Sequence, residues 1–77
     1  MIFERPQKHS LTLNGHRTSV TLEPAFWAAF CKLAKNKSLT INAFAADIDA
    51  KRGLDCGLAS AIRLTVLQDL QDNQQAD

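Results

Sequence analysis

The chain has 77 residues, of which 45% are hydrophobic and 22% are charged, and its formal net charge is +1. A chain of this length forms at most one domain, and it buries too small a fraction of its surface to be very stable alone. No stretch is long or apolar enough to cross a bilayer, and the first residues lack the apolar core of a signal peptide, so we expect a cytoplasmic protein.

The first predicted element is a β-hairpin over residues 9–22, after an irregular arm over residues 1–8 that contains Pro6. Asn14-Gly15 separates two alternating runs and favours a type I′ turn, because both central positions of that turn need positive φ. With this turn, Leu13 faces His16 across the hairpin. The apolar face then carries Leu11, Leu13, Thr18, Val20 and Leu22. The opposite face carries Ser10, Thr12, Arg17, Ser19 and Thr21.

Two amphipathic helices are predicted after the hairpin. Pro24 suits the first turn of a helix over residues 24–35, beside Glu23 at its positive end. Its two apolar rows are Phe26, Phe30 and Leu33, and Trp27, Cys31 and Ala34. Thr40 is a candidate N-cap for a helix over residues 40–52, and Gly53 suits the position after its end.

A third helix is predicted over residues 56–71, with Asp55 as a candidate cap. Its apolar residues recur every four positions, and further apolar residues widen the surface that they form. This apolar surface is wider than one short domain needs to cover, which indicates contact with another chain. These residues are Leu58, Ala61, Ile62, Leu64, Val66, Leu67 and Leu70. The polar residues 72–77 predict a frayed tail. No internal repeat is evident.

The charges are distributed unevenly along the chain. Residues 1–40 carry six basic and two acidic side chains, a net charge of +4, whereas residues 41–77 carry three basic and six acidic side chains, a net charge of −3. The front half could therefore face a polyanion while the rear half stays in solvent. Cys31 and Cys56 lack ligand or disulfide spacing and predict two reduced thiols. A homodimer is then the expected route to stability.

No group of residues indicates an enzyme, so we expect no catalytic residue. Asp47 and Asp49 are two positions apart on a helix and do not face each other. Ser60 has no histidine beside it in the sequence, and no glycine-rich phosphate loop is present. His9 and His16 lie on opposite strands without further ligands, so we expect no metal site and no cofactor.

Two segments carry a resemblance to a known family. They are Gly15-His16-Arg17-Thr18-Ser19-Val20-Thr21-Leu22-Glu23-Pro24-Ala25-Phe26-Trp27 and Leu58-Ala59-Ser60-Ala61-Ile62-Arg63. In these segments the chain resembles the ribbon-helix-helix superfamily of the Arc and methionine repressors, and within it a branch of small bacterial proteins. The likeness covers roughly residues 10–70. It implies an α+β ribbon-helix-helix homodimer, formed by a single domain over residues 1–77, with an added N-terminal hairpin strand and a third C-terminal helix.

The resemblance also implies a function, that of a small DNA-binding transcription regulator. In the family, the strand of one chain pairs antiparallel with that of its mate, and the resulting ribbon enters the major groove of double-stranded DNA. The residues that would contact bases are Arg17, Ser19 and Thr21. The residues that would contact a phosphate, at the amino end of the second helix and beside it, are Thr40, Ile41, Asn42 and Lys37.

The added hairpin strand leaves a second hypothesis open. A dimer with two strands per chain has a four-stranded sheet, which is too wide to enter a groove of about 12 Å flat, because neighbouring strands lie about 4.8 Å apart. The hairpin could separate on binding, curve away from the groove, or belong to a protein that does not bind DNA. The alternative function is a dimeric, antitoxin-like interaction module that captures a protein partner through its C-terminal helix.

Overall fold

The architecture is a two-stranded antiparallel sheet followed by three helices, seen in a computed structural model that describes residues 3–75. The strands are β1 (Gln7–Leu13) and β2 (His16–Leu22). The helices are α1 (Pro24–Asn36), α2 (Ile41–Lys51) and α3 (Leu58–Gln75). This order confirms the expected α+β fold with an added hairpin strand and a third C-terminal helix. Among residues 3–75, no helix is long and apolar enough to span a membrane.

The hairpin has the predicted turn and register. Asn14 and Gly15 have φ angles of 53° and 83°, as a type I′ turn requires. Leu13 pairs with His16, and the apolar face of both strands is buried with one exception. Thr18 lies on that face by register but is exposed, and it borders a surface depression beside Leu58.

Both ends of the chain contain more regular structure than their composition predicts. β1 begins at Gln7, two residues before the predicted hairpin, since Gln7 and Lys8 find partners in β2. α3 continues to Gln75, past the predicted end at residue 71. Its last turns are supported by side-chain hydrogen bonds between residues four apart, including Gln68 to Asp72 at 2.8 Å. Residues 1, 2, 76 and 77 of the predicted arm and tail lie outside the described residues.

Helix α1 ends in a Schellman motif. The N–H of Leu39 donates to the carbonyl of Ala34 at 2.9 Å, and the N–H of Ser38 donates to that of Lys35 at 3.0 Å. Ser38 itself has a φ of 58°, in the left-handed region that glycine usually occupies. A serine therefore occupies a position that its Cβ disfavours.

The two later helices begin differently. α2 has the predicted N-cap, because Oγ1 of Thr40 accepts a hydrogen bond from the N–H of Ala43 at 3.0 Å. The predicted cap of α3, Asp55, is wrong: the helix begins at Leu58, and its first backbone bond runs to the carbonyl of Gly57. Asp55 lies three residues before the helix, in a loop that Arg52 holds through a 2.7 Å hydrogen bond to the carbonyl of Cys56.

The core lies between the apolar face of the sheet and the three helices. Phe30, Leu22 and Ile62 are its most buried large side chains, one each from α1, β2 and α3. Phe30 stacks on Phe44 of α2, with ring centroids 5.1 Å apart. α2 lies against β1, and α3 lies against α1, α2 and β2. The helices thus cover one face of the sheet, and the other face is exposed to solvent.

Candidate nucleic-acid interface

The uncovered side of the hairpin, which we call the polar face, consists of three cross-strand pairs. The pairs are Lys8 with Thr21, Ser10 with Ser19, and Thr12 with Arg17. All six side chains are exposed and none is acidic, so the face has two positive charges and four hydroxyl groups. The predicted base-contact residues Arg17, Ser19 and Thr21 therefore lie in one accessible row.

The two edges of the sheet differ in how their backbone groups are satisfied. The two-residue turn makes Leu13 and His16 a hydrogen-bonded pair, so the alternation of an antiparallel ladder directs the backbone groups of all polar-face residues outward. On β1, the outward N–H of Thr12 donates to Oδ1 of Asn42 at 3.1 Å. Within residues 3–75, no hydrogen bond from another element reaches the outward backbone groups of β2. The outer edge of β2 is therefore open to a further strand.

The amino end of α2 lies beside the polar face. The hydrogen bond from Thr12 to Asn42 fixes this helix end against β1. Because Thr40 caps the N–H of Ala43, the N–H groups of Ile41 and Asn42 remain as donors in the first turn, where the helix dipole favours an anion. The Ile41 side chain packs partly against the core, so only its backbone can contribute. The structure thus brings the predicted phosphate-contact amides close to the sheet.

Lys37, the fourth predicted phosphate-contact residue, lies further from this helix end. Its Nζ is 6.0 Å from the ring centroid of Phe44, one turn into α2. It borders a groove between α1 and α3, together with Leu64 and Asp69. Its position therefore gives it acidic as well as aromatic neighbours.

The carboxylate that follows β2 is paired. Oε1 of Glu23 accepts hydrogen bonds from Nε and Nη2 of Arg63 at 3.0 and 2.8 Å. A backbone amide hydrogen bond and the Arg63 guanidinium hold the pKa of Glu23 below its usual value. The Arg63 guanidinium also lies 5.8 Å from the ring centroid of Phe26. Because its charge is neutralised, Glu23 does not offset the positive charge of the polar face.

Lys8 is the charged residue of the polar face that lies within the predicted irregular arm. In the structure it belongs to β1 and faces Thr21. The sequence gives no clear signal for it, because residues 7–10 are all polar and the alternation of polar and apolar residues begins only at Leu11. The aromatic residue Trp27, in contrast, stacks on the ring of His9 with centroids 3.8 Å apart and lies on the covered side of the sheet.

In the described part of the chain, no three His, Cys, Asp or Glu side chains are placed to hold a metal ion. Asp47 and Asp49 each pair with a basic residue of their own helix, Lys51 at 3.1 Å and Arg52 at 2.7 Å. Cys31 and Cys56 are free thiols, and burial raises the pKa of Cys31.

Comparisons with known proteins identify the domain. A family model described as a ribbon-helix-helix domain matches residues 6–70, which include both strands, α1, α2 and most of α3. Members of this family are generally DNA-binding transcription regulators or antitoxins, they typically form dimers, and they are typically not enzymes. Searches of curated proteins and of solved structures found no match. Because the family match covers most of the chain, this protein belongs to the ribbon-helix-helix domain family.

Proposed function

We propose that this chain is a small transcription regulator that acts as a homodimer and contacts the major groove of DNA through an antiparallel β-ribbon. The observation that carries the proposal is the polar face, which is exposed, rich in hydroxyl groups and free of carboxylates. Such a surface complements the negative charge and the hydrogen-bonding edges of duplex DNA. DNA as the partner implies a cytoplasmic protein.

The base contacts are assigned to the row on β2. The Arg17 guanidinium can donate two hydrogen bonds to O6 and N7 of guanine, which is the most common specific contact in the major groove. The hydroxyl groups of Ser19 and Thr21 can donate or accept, so they suit either type of base edge. All three side chains project from the same exposed face of the hairpin.

The phosphate contacts are assigned to the amino end of α2. The backbone N–H groups of Ile41 and Asn42, after the capping residue Thr40, form an anion-binding helix end. Lys37 can add a salt-sensitive contact if its side chain turns away from Phe44. These contacts would orient the sheet on the duplex without selecting a sequence.

Two surfaces could join the subunits of the proposed dimer. The first is the open edge of β2, which in the family arrangement pairs with the same strand of the partner. The second is a row of leucines on the outer side of α3, which we call the leucine row: Leu64, Leu67 and Leu70 are 59%, 47% and 52% exposed. Isolated small domains with such exposed apolar rows commonly bury them in an interface.

The proposal is tested by replacing Arg17. The preferred duplex is first selected from a random-sequence library with the wild-type protein, and binding is then measured by fluorescence anisotropy at two salt concentrations. We expect Arg17→Ala to raise the Kd for the selected duplex by about 5- to 100-fold, because a bidentate base contact discriminates by about 1–3 kcal/mol. It should also relax the base preference at one position.

Lys32→Ala is the matched control, since it also removes an exposed positive charge, but from α1, away from the polar face. It should change the Kd far less than Arg17→Ala. If both variants bind as the wild type does, or if the wild type binds no duplex even at low salt, the proposal is wrong.

The leucine row supports a second candidate function, an antitoxin-like module that captures another protein through α3. α3 carries Asp69 and Asp72 near this row, which would favour a partner with a basic, partly apolar groove. This candidate predicts that a Leu67→Gln variant still forms dimers but no longer captures the product of a neighbouring toxin-like gene in a pull-down. Capture that survives the substitution would exclude the leucine row as the binding surface.

A further inference from the structure

Strand β1 lies between the two surfaces that are proposed to contact DNA. β2 carries the row proposed for bases, and the amino end of α2 carries the amides proposed for a phosphate. Along one edge, β1 pairs over its whole length with β2. Along its other edge, the N–H of Thr12 donates to Oδ1 of Asn42 in the first turn of α2, at 3.1 Å. A duplex that contacts both β2 and this helix end therefore passes across β1.

The polar face of β1 has the chemistry of a phosphate-binding surface. It consists of the exposed residues Lys8, Ser10 and Thr12, which supply one ammonium group and two hydroxyl groups. All three side chains can donate hydrogen bonds, as the acceptor oxygens of a phosphate require. Within the described residues 3–75, no carboxylate forms an ion pair with Lys8, so its charge is available to a polyanion.

We infer that β1 contacts the sugar-phosphate backbone at the wall of the major groove, while β2 of each subunit forms the ribbon that faces the bases. Lys8 supplies the ionic contact to a phosphate, and the hydroxyl groups of Ser10 and Thr12 supply hydrogen bonds. The inference rests on the proposed function and keeps its pairing of β2 between subunits. It makes Lys8 a positioning residue, which orients the protein on the duplex without selecting a sequence.

The width of the proposed dimer sheet agrees with this role. Pairing of β2 with the same strand of a second copy places the two β1 strands on the outside of a four-stranded sheet. Neighbouring strand axes lie about 4.8 Å apart, so each β1 axis lies about 7 Å from the two-fold axis. Half the width of the major groove is about 6 Å. The two central strands thus fit between the walls, and each outer strand lies at a wall, where the phosphates are.

Strand β1 is held firmly in this outer position. All seven of its residues pair with β2, and the hydrogen bond from Thr12 to Asn42 ties it to α2. Leu11 and Leu13 on its covered face are only 2% and 7% exposed. Separation of β1 from β2 would expose these leucines and break the ladder of hydrogen bonds, both of which cost free energy. We therefore expect β1 to remain beside β2 when DNA is bound.

The first test measures the salt dependence of binding by Lys8→Ala, on the duplex that the wild type selects. We expect the Kd at low salt to rise about 3- to 10-fold and the slope of log K against log salt to fall by about 2, because a dimer loses two phosphate contacts. Selection from a random library should return the wild-type sequence, whereas Arg17→Ala relaxes it. Lys8→Arg should bind as the wild type does, and Lys32→Ala is the control of equal charge change.

The second test locates the phosphate. A set of duplexes is prepared in which a methylphosphonate replaces one phosphate at a time and removes its charge. The wild type should lose affinity at phosphates that flank the contacted bases. At the two symmetry-related phosphates that Lys8 contacts, the same replacement should weaken Lys8→Ala much less than the wild type, since the partner charge is already absent. Lys32→Ala should show the same pattern of losses as the wild type.

The outcomes separate this inference from the function on which it rests. If Lys8→Ala matches Lys32→Ala in Kd and salt slope while Arg17→Ala loses binding, the inference is wrong and the proposed function stands. A relaxed base preference in Lys8→Ala, or an unchanged methylphosphonate pattern, would also overturn the inference. Thermal unfolding followed by circular dichroism checks the fold of each variant, and Lys8→Gln replaces Lys8→Ala if the latter does not fold. A wild-type protein that binds no duplex would overturn both.

Discussion

Glu23 and Arg63 connect the end of β2 to α3 through a side-chain hydrogen bond between residues 40 positions apart. Both hydrogen bonds go to one oxygen of the carboxylate, and both side chains are about one-third exposed. The pair therefore fixes where the third helix crosses the start of α1. Its contribution depends on pH, because only the ionised carboxylate accepts both bonds as a charged partner.

We expect Glu23→Gln to reduce stability at neutral pH and to have a smaller effect in acid. The pKa of Glu23 is lowered by folding from its usual value of 4.5, so the stabilisation is present above that value and is lost as the pH falls through the lower folded-state pKa. The measurement is urea unfolding of the wild type and the variant at pH 7 and at pH 3.

Arg63→Gln provides the control background for this prediction. In that background, Glu23→Gln should lose part of its effect at pH 7, since the guanidinium partner is absent while the backbone hydrogen bond to the carboxylate remains. An effect of Glu23→Gln that is the same at both pH values would show that the pair does not contribute through its charge.

At the scale of elements, the connection between α1 and α2 contains a local strain. Ser38 holds a left-handed conformation with φ of 58°, which non-glycine residues adopt at a cost of roughly 1–2 kcal/mol. The two Schellman hydrogen bonds, which the N–H groups of Ser38 and Leu39 donate, hold this conformation in place. The loop sets the angle at which α2 leaves α1, and thereby places the amino end of α2 beside β1.

Ser38→Gly is expected to stabilise the protein by about 0.5–1 kcal/mol, because glycine adopts positive φ without a Cβ clash and loses part of the gain to its more flexible unfolded chain. The midpoint of urea unfolding should rise. Asn36→Gly is the matched control: Asn36 is an exposed residue with helical φ two positions earlier, so the same replacement should give no gain there. A midpoint that falls with Ser38→Gly would show that the serine hydroxyl or Cβ is needed in the loop.

At the scale of the whole molecule, the leucine row is the largest apolar feature that the protomer leaves uncovered on a regular element. Its three leucines are spaced by three residues and are symmetric about Leu67, so two antiparallel copies of α3 could place Leu67 on Leu67 and Leu64 on Leu70. Around the row lie the uncharged, exposed Gln68 and Gln71 as well as the carboxylates of Asp69 and Asp72. A second copy of the chain is therefore a suitable occupant for this surface.

We expect Leu67→Gln to raise the dimer dissociation constant about tenfold or more, since each subunit loses the burial of one leucine at the two-fold axis. The molar mass in solution is measured by light scattering over a range of concentrations. The fold should be unaffected, because this side chain is half-exposed in the protomer. Gln71→Ala is the control on the same helix. An unchanged dimer would assign subunit contact to another surface and leave the row to a different protein.

The exposed row of Arg17, Ser19 and Thr21 was predictable from residue alternation, because a strand with one apolar side must present the other side to solvent. Of the two positive charges on that surface, only the charge of Arg17 was predictable from the sequence. Lys8 follows Pro6 by two residues and has no strand-forming neighbours before it, so its place in β1 depends on pairing with Thr21. The contribution of Lys8 to the polar face therefore becomes visible only when the two strands are aligned.

Features that depend on neighbouring residues follow from local sequence alone. Asn14-Gly15 set the turn and hence the register, and Thr40 set the start of α2, since backbone sterics and capping act over a few positions. Local sequence does not specify which edge of the sheet is closed by a hydrogen bond from another element. That outcome requires Asn42 to reach Thr12, 30 residues away, which depends on how α2 packs beneath the sheet rather than on any local preference.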